Sequence, residues 1–187
     1  MQHVWTIFLS VLILFLLERI FAVGITRNAG GRSWIRQHPL FHPNTISLIR
    51  FPMGIVSAAL WMAGLEFSIT GLKSFAVIWF AFWMISDITD GTIARNCNLV
   101  TERGKWLDPL SDKLMYFPSL LLFGVLGILP LSWVTAFVVI DGTGQLARLV
   151  IRKKAANYFG KAKTALVTTL LSIAALNDIH PMSFLTH

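Results

Sequence analysis

Long apolar stretches separated by short polar clusters run the length of this chain. Six can be bracketed by charges and turn residues: Val4 to Val23, Thr45 to Leu65, Leu72 to Ile93, Trp106 to Ile128, Ser132 to Ile151 and Ala165 to Leu176. All but the last are about 20 residues long, which is what a helix needs to cross ~30 Å of hydrocarbon. The pattern predicts an all-α integral membrane protein, a bundle of six transmembrane helices forming one domain over residues 1–187. Composition agrees, because 55% hydrophobic and 13% charged residues would leave a water-soluble protein of this size short of polar surface. The single cysteine, Cys97, excludes an intrachain disulfide and a multi-thiolate zinc site.

Charge adds an orientation, since Lys and Arg are retained on the cytoplasmic face of a membrane. Arg27, Arg32 and Arg36 follow the first stretch, Arg95, Arg103 and Lys105 join the third and fourth, and Arg148, Arg152, Lys153, Lys154, Lys161 and Lys163 flank the fifth and sixth. The intervening connections carry Glu66 and Lys73, or the uncharged Gly127, Leu129 and Pro130. Every second connection is therefore basic. This predicts a multi-pass protein of the cytoplasmic membrane with both termini outside, and it leaves membrane lipids rather than nucleic acid as the partner of the positive charge. Residues 1–25 read as a retained anchor helix, not a cleaved signal peptide, because the positive charge follows the apolar run and no Lys/Arg precedes it. The stretch Gly30 to Asn44, with Trp34, Ile35, Leu40 and Phe41 among Arg32, Arg36, His38 and His42, suits equally a segment lying along the headgroups and a solvated loop.

Four of the nine acidic residues, Asp87, Asp90, Asp108 and Asp112, fall at the cytoplasmic ends of two consecutive apolar stretches. An aspartate near hydrocarbon costs about 3 kcal/mol on insertion scales, so such a cluster needs compensating cations or protons. At ~100° per residue Asp87, Asp90, Gly91 and Ala94 share one helix face, while Gly104, Asp108 and Asp112 follow the i, i+4, i+8 line of the next helix. The eight residues between Arg95 and Gly104 suffice to bring the two faces together. Pro109 suits a helix's first turn with Asp108 as its cap. Four carboxylates cannot all stay ionised without positive charge between them. Two hard divalent ions clamping a diphosphate would resolve this. A proton-carrying carboxylate pair in a transporter or channel, and a structural network with Arg95, Lys105 and Lys113, are the alternatives.

The stretch SDITDGTIARNCNLVTERGKWLDPLSDK resembles the signature D-x2-D-G-x2-A-R-x8-G-x3-D-x3-D of the CDP-alcohol phosphatidyltransferase family, with Asp87, Asp90, Gly91, Ala94, Arg95, Gly104, Asp108 and Asp112 at every fixed position. The resemblance extends more weakly over residues 44–164, where Asn44, Ser47 and Arg50 are similar to the polar start of the family's first transmembrane helix. A helix cap and a snorkelling arginine would account for the same three residues. The resemblance implies phospholipid biosynthesis by a transferase acting on CDP-diacylglycerol, with the active site at the cytoplasmic side and a homodimeric assembly. It implies that Asp87, Asp90 and Asp108 hold two ions, Mg²⁺ or Mn²⁺, and that Asp112 touches metal and serves as general base towards the acceptor hydroxyl. Gly91, Ala94, Arg95 and Gly104 would shape the space for the CDP moiety.

GKWLDPLSDKL and the later GKAKT resemble phosphatidylglycerophosphate synthases within that family, which implies glycerol 3-phosphate as acceptor, with inositol phosphate, serine or phosphatidylglycerol as alternatives. Arg148, Lys161 and Lys163 suit its phosphate, although the positive-inside rule explains the same charges. The chain departs from that branch in its fifth stretch, where Ile140 and Asp141 stand in place of an Arg-Glu pair. It also has an additional leading helix and is expected to lack the family's last one. Intramembrane prenyltransferases also bind metal-diphosphate through aspartates, but their two motifs lie far apart in sequence.

Overall fold

A computed structural model describes residues 2–151 and 157–180; the side chains of 2–3, 102–103, 105–106, 108–109, 145–151 and 157–162 lie outside that description. The described elements are all helical: α1 (Gln2–Arg27), α2 (Ala29–Gln37), a 3₁₀ turn (Pro39–Phe41), α3 (Pro43–Glu66), α4 (Thr70–Asn96), α5 (Glu102–Val125), α6 (Leu131–Ile151) and α7 (Asn157–Ile179). Three of them, over Val4–Arg27, Pro43–Glu66 and Thr70–Asn96, are long and apolar enough to cross a membrane. Of the other three expected spans, Trp106 to Ile128 and Ser132 to Ile151 include residues whose side chains lie outside the description, and Ala165 to Leu176 lies within α7. The helix that carries the short sixth stretch is longer than the stretch itself: α7 spans 23 residues. Its apolar core ends at Lys163 and Asn177, but lysine and asparagine interrupt a hydrophobic pattern without interrupting a helix.

Met1–Pro118 and Ser119–His187 form two compact units. In the first, the register of side-chain contacts gives the directions of the helices. Ser47 meets Asp90, Arg50 meets Asp87 and Ser57 meets the carbonyl of Ala76, so α3 and α4 are antiparallel. Glu18 meets Thr89 and Thr26 meets Asn96, so α1 and α4 are parallel. Asn44 meets Thr101, Arg50 meets Asp112, and a Cβ on Gly54 would lie 2.6 Å from the Leu114 carbonyl oxygen, so α3 and α5 are parallel too. One end of this unit therefore gathers the C-termini of α1 and α4 with the N-termini of α3 and α5. The acidic motif lies there.

The stretch Gly30 to Asn44 is mostly helical, in α2, the 3₁₀ turn and the start of α3, and not a solvated loop. Ile35 of α2 is fully buried against Ile93 and Cys97, while Arg36 donates to the Cys97 carbonyl at 2.9 and 3.2 Å, and Trp34 stacks on His38. The amphipathic α2 thus seals the end of α4. That helix stops in a Schellman arrangement: Asn98 takes the left-handed conformation (φ 55°), the Leu99 N–H reaches the Ala94 carbonyl at 2.9 Å, and Leu99 packs on the Ile93 and Cys97 cluster. Asparagine tolerates that conformation better than other non-glycine residues. The next helix then begins about one turn earlier than its apolar pattern suggests. Thr101 caps it, its hydroxyl accepting from the Gly104 N–H at 3.0 Å, which puts Asp108 and Pro109 inside α5 instead of at its start.

Candidate active site

The acidic cluster is organised around a cation from α3. Arg50 is completely buried, and its Nη1 donates to Asp87 Oδ1 at 2.8 Å and to Asp112 Oδ1 at 3.0 Å. Its Nη2 pairs with Asp90 Oδ2, which also accepts from the Ser47 hydroxyl at 3.0 Å. Arg50 is thus no snorkelling residue, because snorkelling would carry the guanidinium to the interface instead of to three carboxylates. Nor do Asn44 and Ser47 cap α3: Asn44 donates to the Thr101 hydroxyl at 3.0 Å, and Ser47 serves Asp90. Proline at the first position of α3 leaves one fewer N–H for a cap to satisfy.

The three carboxylates differ in access. The Asp90 side chain is 3% exposed, whereas those of Asp87 and Asp112 are 39% and 21% exposed, so the cluster has a closed inner edge and an open outer one. Arg95 lies across Gly91, where a Cβ would meet its Nη1 at 3.4 Å. A Cβ on Gly104 would come within 2.8 Å of the Asn44 amide oxygen, so a larger residue there would displace the Asn44 side chain from its place beside Thr101. Asp108 belongs to α5, with its side chain outside the described residues.

Among the described residues no three His, Cys, Asp or Glu side chains form a ready-made metal cage, since the guanidinium takes the central position. The donor set nevertheless fits a hard divalent ion. It is all carboxylate oxygen, it converges on a single positive charge, and two of its members face outward. Of the residues considered for an acceptor phosphate, Arg148 and Lys161 have side chains outside the description. Lys163 pairs with the buried Asp141 and stands 5.8 Å from the Phe137 ring, within the 119–187 unit.

Residues 40–187 match the model of the CDP-alcohol phosphatidyltransferase family, and the chain belongs to that family, whose members use divalent metal ions. It is 32% identical over 138 residues to a probable phosphatidylglycerophosphate synthase of Mycobacterium tuberculosis, a match covering 71% of this chain and 65% of that protein. The chain thus spans about two thirds of the length of that relative. It is also 28% identical over 157 residues to the Bacillus subtilis CDP-diacylglycerol--glycerol-3-phosphate 3-phosphatidyltransferase, covering 73% of this chain and 77% of that one. A 36-residue stretch is 56% identical to the Rickettsia bellii enzyme of the same name, covering 19% and 20% of the two chains. No solved structure matches.

Proposed function

We propose that this protein transfers a phosphatidyl group from CDP-diacylglycerol to glycerol 3-phosphate at the cytoplasmic side of the cell membrane. The carrying observation is the gathering of Asp87, Asp90 and Asp112 from two helices around one buried positive charge, with an open edge on Asp87 and Asp112. Family membership and two relatives bearing the glycerol-3-phosphate transferase name support the acceptor.

Asp87, Asp90 and Asp108, with Asp112 beside them, would hold two divalent ions, Mg²⁺ or Mn²⁺. Bound there, the ions supply positive charge against the diphosphate and the leaving nucleotide. Gly91 and Ala94 leave room for the cytidine, with Arg95 and Gly104 shaping that space. Asp112 takes the proton from the acceptor hydroxyl as its oxygen forms a bond to the phosphorus that carries diacylglycerol. The bond from that phosphorus to the bridging oxygen breaks, and CMP leaves with the electron pair. Arg148, Lys161 and Lys163 supply charge for the acceptor's phosphate. We read residues 44–164 as the catalytic core and the working protein as a homodimer.

The test is CMP release and lipid formation by the purified protein with CDP-diacylglycerol and Mg²⁺, against a panel of glycerol 3-phosphate, inositol phosphate, serine and phosphatidylglycerol. Glycerol 3-phosphate is expected to give the phosphorylated glycerolipid. A product with another acceptor alone corrects the acceptor, and no CMP with any of them overturns the reading.

A further inference from the structure

Helix α1 stands outside the residues that match the family model, yet it carries a Glu-Arg pair within an otherwise apolar span. Ionisable side chains in a membrane helix are costly and turn towards protein. Here they turn towards the motif helix. The Thr89 hydroxyl donates to Glu18 Oε2 at 2.7 Å, Arg19 Nη1 donates to the Thr92 hydroxyl at 3.1 Å, and Asn96 Nδ2 donates to the Thr26 hydroxyl at 2.8 Å.

Thr89 and Thr92 lie within the motif itself, on either side of Asp90 and Gly91. At ~100° per residue, Thr89, Thr92 and Asn96 share one face of α4 and Asp87, Asp90 and Ala94 the opposite one. The helix is therefore gripped from both sides, by α1 through the hydroxyls and amide and by Arg50 through the carboxylates. A rotation of α4 that moved Asp87 and Asp90 would have to break the α1 contacts. Glu18 also lies within electrostatic reach of Arg50, and among the described residues Glu18 Oε1 and Arg50 Nε are both buried without a hydrogen-bond partner.

We propose that Glu18 is a positioning residue for the transfer reaction: through Thr89 it fixes the rotation of α4 that presents Asp87 and Asp90 to metal and diphosphate. This rests on the function proposed above. It gives the leading helix a part in the chemistry beyond anchoring.

The experiment compares the full-length protein with Glu18→Leu, Glu18→Gln, Thr89→Val and the Glu18→Leu/Thr89→Val double variant in detergent. Mn²⁺ affinity is read by electron paramagnetic resonance, and kcat and KM from CMP release. Glu18→Leu and Thr89→Val are expected to weaken Mn²⁺ binding and to lower kcat, each by about tenfold or more, the scale of loss that follows sub-ångström to ångström misplacement of catalytic groups. Glu18→Gln still accepts from Thr89 and should stay within about twofold of the wild type. The double variant should be no worse than the poorer single one, because the two side chains act through one contact. Thr89→Val nearly preserves shape, so it decides the matter should Glu18→Leu fail to fold. Unchanged Mn²⁺ affinity and kcat in Thr89→Val, or a Gln variant as impaired as Leu, overturn the proposal. A wild type that binds Mn²⁺ but releases no CMP overturns the proposed function instead, and the Mn²⁺ comparison still judges Glu18.

Discussion

A buried guanidinium among three carboxylates is stable only as a set. Replacing Arg50 by methionine keeps much of its length but leaves Asp87, Asp90 and Asp112 facing one another without a cation. Breaking such a pairing from one side costs about 3–5 kcal/mol. The Arg50→Met protein should therefore melt well below the wild type in EDTA and recover most of the difference when Mg²⁺ or Mn²⁺ is added; equal melting with and without metal would remove the three carboxylates from the metal site. Asp112 is separable from the others because its proposed work includes proton removal. Asp112→Asn should lower the single-turnover rate by about 10²- to 10⁴-fold, while Mn²⁺ affinity falls less than in Asp90→Asn. Equal loss of affinity in both variants would make Asp112 a plain ligand. The meeting of Asp87, Asp90 and Asp112 was legible because their spacing is local to one helical hairpin. Arg50 was not, because a lone arginine at a helix start fits a lipid-facing role as well as a buried one, and only the packing of α3 against α4 and α5 distinguishes them. Glu18 and Arg19 did carry a signal, two charges inside an apolar run, but their partners 71 and 73 residues away could not be read from it.

Between elements, glycine decides how closely the helices of the site approach. A Cβ on Gly54 would run into the Met115 carbonyl oxygen and lie 2.6 Å from that of Leu114, both backbone atoms of α5 that cannot step aside as a side chain can. Gly54→Val should push α3 and α5 apart, destabilise the protein by about 1–3 kcal/mol, and separate Asp112 from Asp87 and Asp90. The expected result is a lower melting temperature together with lost CMP release, whereas full activity would mean that the α3–α5 distance does not set the site. The positions of the helices followed from the apolar pattern to within a few residues at most ends. The start of α5 did not, since Asp108-Pro109 offers a plausible cap and first turn, while Thr101, whose hydroxyl binds the Gly104 N–H, opens the helix earlier over polar residues that periodicity ignores. For α2 the pattern left open a segment along the headgroups and a solvated loop; the burial of Ile35 against Ile93 and Cys97 shows a packed helix instead of the loop.

At the scale of the molecule, the question is which side of the membrane the site faces, and the helix directions make it testable. Because α3 and α4 are antiparallel and each is long and apolar enough to cross a membrane, the turn at Ser68 and the turn at Asn98 are expected on opposite faces, and both residues are exposed. Arg27, Arg32, Arg36 and Arg95 accompany the Asn98 end, against Glu66 and Lys73 at the other, and basic residues remain on the cytoplasmic side. The natural thiol provides its own blank. Cys97 is fully buried and burial pushes its pKa up, so it stays a protonated thiol that an impermeant maleimide labels slowly. In intact cells Ser68→Cys should then label and Asn98→Cys should not, while inside-out vesicles should reverse the pattern and leave the unsubstituted protein blank in both. Labelling of Asn98→Cys from outside would invert the topology and remove the aspartate cluster from the cytoplasmic pool of CDP-linked and phosphorylated substrates. Labelling of both positions from one side would mean that α4 does not cross the membrane.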